Sequence, residues 1–481
     1  MPKTILIFSD GTGQAGGIRP DQRLSNVYKL YRATRTGPDS PIDPAKQLAF
    51  YDAGLGTDDD AGPSLVKFVT FLQKLLSSAT GRGITRNITD CYEAILNAYE
   101  PGDRIYLFGF SRGAYTVRCV AGVLALCGVP TKGSDGGELP RYRRETRGIA
   151  DEAVRKVYEH GAGSPLATYE AERNEQARRF RERYASDLDG HANVDPYFIG
   201  VFDTVASLGA KGAARFGISA ILILGVLAIC WFGGWLLELL FDLPILFTFT
   251  ALVGFSAAIF AISSLRSTFK YIRNFPNPGD FHWHIAKWEM KNYDRGLSPR
   301  VHFARHALAI DETRADFPRV PWGFKNFRPT VVAGEPEYLQ QIWFAGDHSD
   351  IGGSYSEEES RLSDIALQWM VEQILSLPAA PLLDQSKLHM FPDPAGMQHC
   401  EVFARRDAYP TWVPLKLRIT WAEKPRKEVL GAPVHPSVTA RFGLPKVLKW
   451  GRYAPYRPET LRGDDRFSHY YPAEPDGPPA V

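Results

Sequence analysis

Leu107-Phe108-Gly109-Phe110-Ser111-Arg112-Gly113-Ala114 reads as an apolar strand that delivers a serine onto a sharp turn between two glycines. At such a turn the serine backbone is strained and its hydroxyl stands clear of the sheet. Side chains two positions before and after it would collide where strand and helix cross, and glycine at 109 and 113 removes that collision. The spacing alone is weak evidence in a chain with 43 glycines, so the flanks decide. Residues 104–108 are strand-like and residues 112–126 suit a helix and lack proline. Upstream, Ile88, Tyr92, Ile95, Leu96 and Tyr99 recur at helical spacing before Pro101-Gly102-Asp103 ends that helix.

Helix, turn, strand, serine, helix is the local order of a nucleophile elbow, and it predicts an α/β fold: an α/β-hydrolase-like, doubly wound and mostly parallel sheet. The 481 residues, 44% of them hydrophobic, suffice for one large domain with insertions or for two domains. The 56 basic and 54 acidic side chains nearly cancel, so no electrostatic footprint for nucleic acid is expected. Five cysteines without a Cys-x-x-Cys pair suggest reduced core thiols in a cytosolic setting. The five apolar or small residues 4–8 are too few for the core of an export signal.

No charge occurs from 216 to 237, nor from 243 to 265. Each run is long enough to cross a hydrocarbon core of about 30 Å as a helix. A transmembrane hairpin inserted in the domain is therefore expected, with Lys211, Arg215, Arg266, Lys270 and Arg273 at its outer ends and an acidic connection at 238–242. The positive-inside rule then places the hairpin ends, both termini and the catalytic body in the cytoplasm. Gly254, Ala257, Ala258 and Ala261 offer a small-residue face on which the first helix can pack, and Trp231 and Trp235 are candidate interfacial anchors. Buried core helices or an apolar lid are the alternative reading.

A serine hydroxyl needs an imidazole to take its proton and a carboxylate to orient that imidazole. Residues 196–203 form an apolar run ending in Asp203, just past a strand; Asp189 and Asp195 precede that strand and compete less well for the acid's place. Residues 341–344 read as another strand, opening into a glycine-dense loop around His348, the expected base. His282, His284, His302 and His306 cluster in sequence, but no acidic or cysteine partner recurs at ligand spacing, so they are read as structural and no metal is expected. After the first strand, the backbone N–H groups of Gly11 and Thr12 are candidate oxyanion donors together with that of Arg112. Asp10 and Asp350 are expected to support these loops. The 9–13 loop lacks the second carboxylate of an aspartate-nucleophile phosphatase and the lysine of a phosphate loop.

Six motifs in order resemble the catalytic domain of the class-one type VI secretion lipase effectors and the uncharacterised-domain proteins that share it. They are residues 9–12, 51–57, 109–118, 201–205, 306–312 and 346–353. The resemblance implies a cofactor-free serine hydrolase that cleaves acyl esters of phospholipids with Ser111, Asp203 and His348. The chain departs from that family in its hairpin, which a delivered soluble effector would not carry. A soluble ester or thioester substrate, or a non-catalytic membrane toxin or scaffold, are the alternatives; membrane lipid and the membrane itself are the expected partners, and the sequence does not say whether there is a protein partner. The domain reading is as follows: 1–215 as the first catalytic segment, with a charged cap or insertion near 131–191 that contributes little to a core; 216–265 as the hairpin; 266–378 as the second catalytic segment with the histidine loop; and 379–481 as a loop-rich, proline-broken extension with short strands near 415–420.

Overall fold

Eight of the strands among the described residues, each at least five residues long, organise the chain: β1 (Thr4–Ser9), β2 (Gln47–Asp52), β3 (Arg104–Phe110), β4 (Phe198–Phe202), β5 (Phe269–Arg273), β6 (Phe281–Ile285), β7 (Phe303–Ala309) and β8 (Leu339–Phe344). All but β5 and β6 join one sheet of order β8-β7-β4-β3-β1-β2, in which every neighbouring pair is parallel. The computed structural model describes residues 2–54 apart from 12, 15 and 18–22; residues 82–205 apart from 166; and residues 212–288, 296–323 and 336–472 apart from 411, 412, 415–417 and 419.

The strands are apolar on both faces because both are covered, as a parallel sheet requires. Their alternation sorts the core. Ile5, Ile7, Ile105, Leu107, Ile199 and Val201 point toward α2 (Arg82–Ala98) and α3 (Arg112–Cys127), while Leu6, Phe8, Tyr106, Phe108, Phe198 and Phe202 point toward α1 (Asn26–Thr34) and α8 (Arg361–Leu375). Because the six strands run one way, the segments after β1, β3, β4 and β8 all leave the same edge of the sheet. Those segments begin with Asp10, Ser111, Asp203 and Ala345.

The charged stretch at 131–191 departs from expectation. It forms helix Arg144–Asp151 with the turns that follow and α4 (Glu170–Tyr184). Ile149, Ala150, Ala153, Val154, Val157, Ala177, Phe180 and Tyr184 are buried in the core beside α3. Narrow stripes of alanine, branched aliphatic and aromatic residues form this contact, and the surrounding arginines and glutamates hide them from a composition reading.

The two apolar runs form antiparallel helices, α5 (Gly212–Phe241) and α6 (Ile245–Thr268), which pack on each other. Glu238, expected in the connection, lies inside α5, so the turn shrinks to residues 242–244. The expected packing face is also corrected. Gly254, Ala257, Ala258 and Ala261 are exposed, and a Cβ on Gly254 would meet nothing. The backbones approach at Gly234 instead, where an added Cβ would lie 3.1 Å from Thr248 Oγ1 and 3.2 Å from Phe249 N. Trp231, near the middle of α5, packs edge-on against Phe249 rather than standing at a helix end. Lys270 is buried, 3.7 Å from Glu159, and so does not line the outer end of the hairpin.

The C-terminal segment has a core of its own. Val429, Val438, Phe442, Val447, Tyr456, Leu461 and Phe467 pack on Leu308, Ile310 and Trp343 of the β7–β8 side. Trp343 N donates to Pro433 O at 3.0 Å and His435 N to Trp343 O at 2.8 Å, so this segment closes the β8 edge that would otherwise stand open. The strands expected near 415–420 fall mostly outside the described residues. The crossing of β3, α3 and β1 tolerates no added atom: a Cβ at Gly113 would lie 2.0 Å from Ser9 O. Gly113→Ala is expected to destabilise the fold by on the order of 3 kcal/mol, read as a lowered thermal midpoint against the unaltered chain.

Candidate active site

Ser111 caps α3 from the end of β3 with φ 58 and ψ −120, a conformation that costs a non-glycine residue energy and holds its side chain off the sheet. The tight glycines on either side make that turn possible. A Cβ at Gly109 would lie 2.5 Å from Gly113 O. Ser111 N donates to Phe202 O at 3.1 Å, which ties the turn to the end of β4, where Asp203 follows at once. Asp203 also has a positive φ, 34, and its N–H donates to Ala307 O on β7.

His348 opens the short helix α7 (His348–Gly352), whose N-cap is Asp347. Its Nε2 lies 2.8 Å from Ser111 Oγ and its Nδ1 2.6 Å from Asp203 Oδ2. The three residues singled out from sequence thus form one continuous hydrogen-bonded row. The imidazole is held between Phe110, with ring centroids 4.7 Å apart, and Phe317, edge-on at 5.4 Å. All three members are buried, Asp203 completely.

Burial alone would raise the Asp203 carboxyl. The guanidinium charge of Arg426 and hydrogen bonds from His348 and Arg426 override it and hold the carboxyl well below the usual carboxylate range. Arg426 Nη1 donates to Oδ1 at 2.6 Å and Nη2 to Oδ2 at 3.1 Å, and the Ala309 N–H donates to Oδ1 at 3.1 Å. Sequence reasoning missed Arg426. It lies 223 residues from Asp203, in a proline-broken segment with no periodicity to mark it.

His306 supports the same turn. Its Nε2 accepts from Thr204 N at 3.2 Å, and burial holds its pKa well below the ordinary value, so it stays a neutral acceptor, in keeping with the structural role read from sequence. Asp311 accepts from Gly346 N at 2.8 Å, and Glu312 pairs with Arg314, whose guanidinium lies 3.6 Å from the Phe317 ring centre. Asp350 accepts from Asp347 N and from His399 N and Nδ1, fixing the loop that carries His348.

Asp10 is buried, and burial pushes its carboxyl up to about 6 against hydrogen bonds from Ser25, the Tyr51 hydroxyl and Gly11 N. The last of these corrects one expectation: the Gly11 N–H donates to Asp10 Oδ1 at 2.7 Å and is already engaged, because the turn after β1 folds back on its own carboxylate. Thr12 lies outside the described residues. Arg112 begins α3 beside Ser111, so its N–H belongs to the first turn, where helix N–H groups have no partner within the helix.

A parallel α/β sheet whose carboxyl edge gathers a serine, an imidazole and a carboxylate defines a class, and comparison with known proteins narrows it. The T6SS phospholipase effector Tle1-like catalytic domain matches residues 3–226 and 254–373, and the chain belongs to this family. The uncharacterized protein YEL023C of Saccharomyces cerevisiae is 30% identical over 216 residues, which cover 43% of this chain and 27% of that protein. Among solved structures, an uncharacterized protein from Pseudomonas aeruginosa is 16% identical with a TM-score of 0.35, over 86% of this chain and 52% of the other. The Tle1 effector, solved bound to the VgrG spike, is 17% identical with a TM-score of 0.27, over 75% and 53%. The chain therefore spans about half of each solved chain and about a quarter of the yeast protein.

Arg426→Met leaves the Asp203 charge buried without its cation, and a loss of about 3–5 kcal/mol is expected at neutral pH. The sign with pH follows from linkage. With Arg426 present, the lowered carboxyl stabilises the fold above its unfolded pKa, and that gain is lost as pH falls. Without Arg426 the carboxyl rises, so acid neutralises it and relieves the strain. Thermal unfolding at pH 7 and pH 5 should therefore show a deficit that shrinks on acidification; an equal deficit at both would speak against a charge origin.

Proposed function

We propose that this chain is a membrane-anchored serine hydrolase of phospholipid or related lipid esters, built on a doubly wound sheet of the α/β-hydrolase type. The observation that carries the reading is the row Ser111 Oγ, His348 Nε2, His348 Nδ1 and Asp203 Oδ2, with links of 2.8 and 2.6 Å. In this reading Ser111 attacks the acyl carbonyl while His348 takes its proton and later returns one to the leaving alkoxide. Asp203, kept ionised beside Arg426, holds the imidazole tautomer with Nδ1–H toward itself. The Arg112 N–H and the 11–12 loop are the proposed donors to the oxyanion, the Gly11 N–H having first to leave Asp10. Water then releases the acyl group by the same steps. No cofactor enters this chemistry.

Attachment to a bilayer is supported by what α5 and α6 leave uncovered. Ser219–Phe241 and Ile245–Thr268 contain stretches with mean hydropathies of 2.4 and 2.3 and are long and apolar enough to cross a membrane. Only 17% and 6% of their most apolar stretches are buried, which disfavours the reading of core helices. Phe216, Leu224, Leu239, Phe247 and Phe255 are exposed, a surface that water disfavours and hydrocarbon accepts. At the foot of α6, with no linker, the β5–β6 hairpin exposes Phe269, Tyr271, Phe281, Trp283 and Ile285 on one face, and Arg273 lies over the Tyr271 and Phe281 rings. Such an aromatic and basic face suits the headgroup region. With Arg266 and Arg273 at this end, the positive-inside rule puts the catalytic body and both hairpin ends in the cytoplasm. Tethering concentrates the enzyme at its substrate.

Ser111→Ala in the purified full chain should lose fluorophosphonate labelling and lower phospholipid hydrolysis by roughly 10³-fold or more; unchanged lipolysis by this variant would sink the proposed chemistry. Carbonate washing of membranes that carry the chain should leave it in the pellet. Its release into the supernatant would replace the spanning hairpin with a peripheral one.

A further inference from the structure

Away from the serine row, three side chains from separate parts of the chain converge where the β5–β6 hairpin meets the body. His160 comes from the turn Tyr158–Gly161, Glu172 from the first turn of α4 and His284 from β6. Their ligating atoms all lie within 4.8 Å of one another. His160 Nε2 is 2.8 Å from Glu172 Oε2, and His284 Nδ1 is 3.9 Å from the same oxygen. Both histidines are buried and Glu172 is half-buried. Only His284 belongs to the sequence cluster read as structural. Its partners are far along the chain, so ligand spacing had no means of revealing them.

The hydrogen bonding of His284 fixes what its inner nitrogen can offer. Nε2 lies 2.5 Å from the His160 carbonyl oxygen, which only accepts, so Nε2 carries the proton and neutral imidazole presents a lone pair at Nδ1. That lone pair faces a carboxylate oxygen at 3.9 Å, beyond hydrogen-bond range. Two electron-pair donors held face to face, with a backbone carbonyl locking the tautomer from behind, are the arrangement a metal ion fills. Tyr169 stacks on the His284 ring at 3.7 Å, and His282 Nδ1 holds the other Glu172 oxygen at 3.2 Å, so ring and carboxylate are both steered. Lys270 on the same hairpin pairs with Glu159, at 3.7 Å.

We propose that His160, Glu172 and His284 bind one divalent transition-metal ion of the zinc class, which clamps the hairpin at the foot of α6 to α4. Two imidazoles and one carboxylate suit zinc, whereas calcium and magnesium require a shell of oxygens. Zinc bonds of about 2.0–2.2 Å put tetrahedral ligand atoms roughly 3.3–3.5 Å apart, so the 2.8 and 3.9 Å separations need only small adjustments. His160 must move its proton from Nε2 to Nδ1 on binding. The fourth position is left to water or to His282. The clamp reinforces contacts already present, in which Gln176 and Arg179 of α4 donate to the Tyr271 and Arg273 carbonyls.

The test uses the untagged full chain in detergent, stripped with a chelator, dialysed and titrated with zinc. One zinc per chain by elemental analysis is expected, with a thermal midpoint several degrees higher with zinc and unchanged with magnesium. Glu172→Gln should weaken zinc at least tenfold, while Ser111→Ala binds it as the parent does. Should Glu172→Gln fail to fold, cobalt in the parent chain decides: intense visible absorption of a four-coordinate ion is expected. No stoichiometric zinc, equal affinity in Glu172→Gln, or only the faint spectrum of hydrated cobalt would each overturn the proposal.

Discussion

A carboxylate removed from water stays ionised only if the protein supplies what the water did. Asp203 is fully buried at the end of β4, and its oxygens are met by the imidazole of His348, the Ala309 N–H and both terminal nitrogens of Arg426. Much of the surrounding architecture serves that arrangement. Arg426 reaches Asp203 only because the C-terminal segment packs along the β7–β8 side and closes the sheet edge. The backbone links from Ser111 N to Phe202 O and from Asp203 N to Ala307 O bind β3, β4 and β7 at the level of this one charge. The cation comes from beyond residue 373, where the match to the family ends.

The motif at 306–312 acquires a physical meaning from the same geometry. Each of its polar residues braces a different side of the row: His306 holds the turn after Asp203, Asp311 holds the loop before His348, and Glu312 acts through Arg314 on Phe317, which covers the imidazole. A strand with these side chains at its end is therefore a scaffold for the hydrogen-bonded row, without touching the serine.

Local signals were legible in the sequence and distant ones were not. The elbow could be read because its constraint is local: at both Gly109 and Gly113 a Cβ would strike backbone. Asp203 and His348 could be picked because parallel strands deliver their following residues to one edge, and these two follow strands. Arg426, Glu172 and His160 could not, since nothing near them in sequence records what they meet in space. The charged stretch misled for a different reason, its buried stripe being narrower than its charged face. The helix hairpin misled in detail because small residues occur on both α5 and α6, and only the crossing point at Gly234 decides which are used.

The hairpin separates β4 from β7, which are neighbours in the sheet. The growing chain therefore emits Ser111 and Asp203, then both apolar helices, and only much later the imidazole and the guanidinium that complete the row. Throughout that interval the hydrogen-bonded row is incomplete. The row therefore cannot close on a nascent polypeptide before residue 426 has been synthesised, well after both apolar helices.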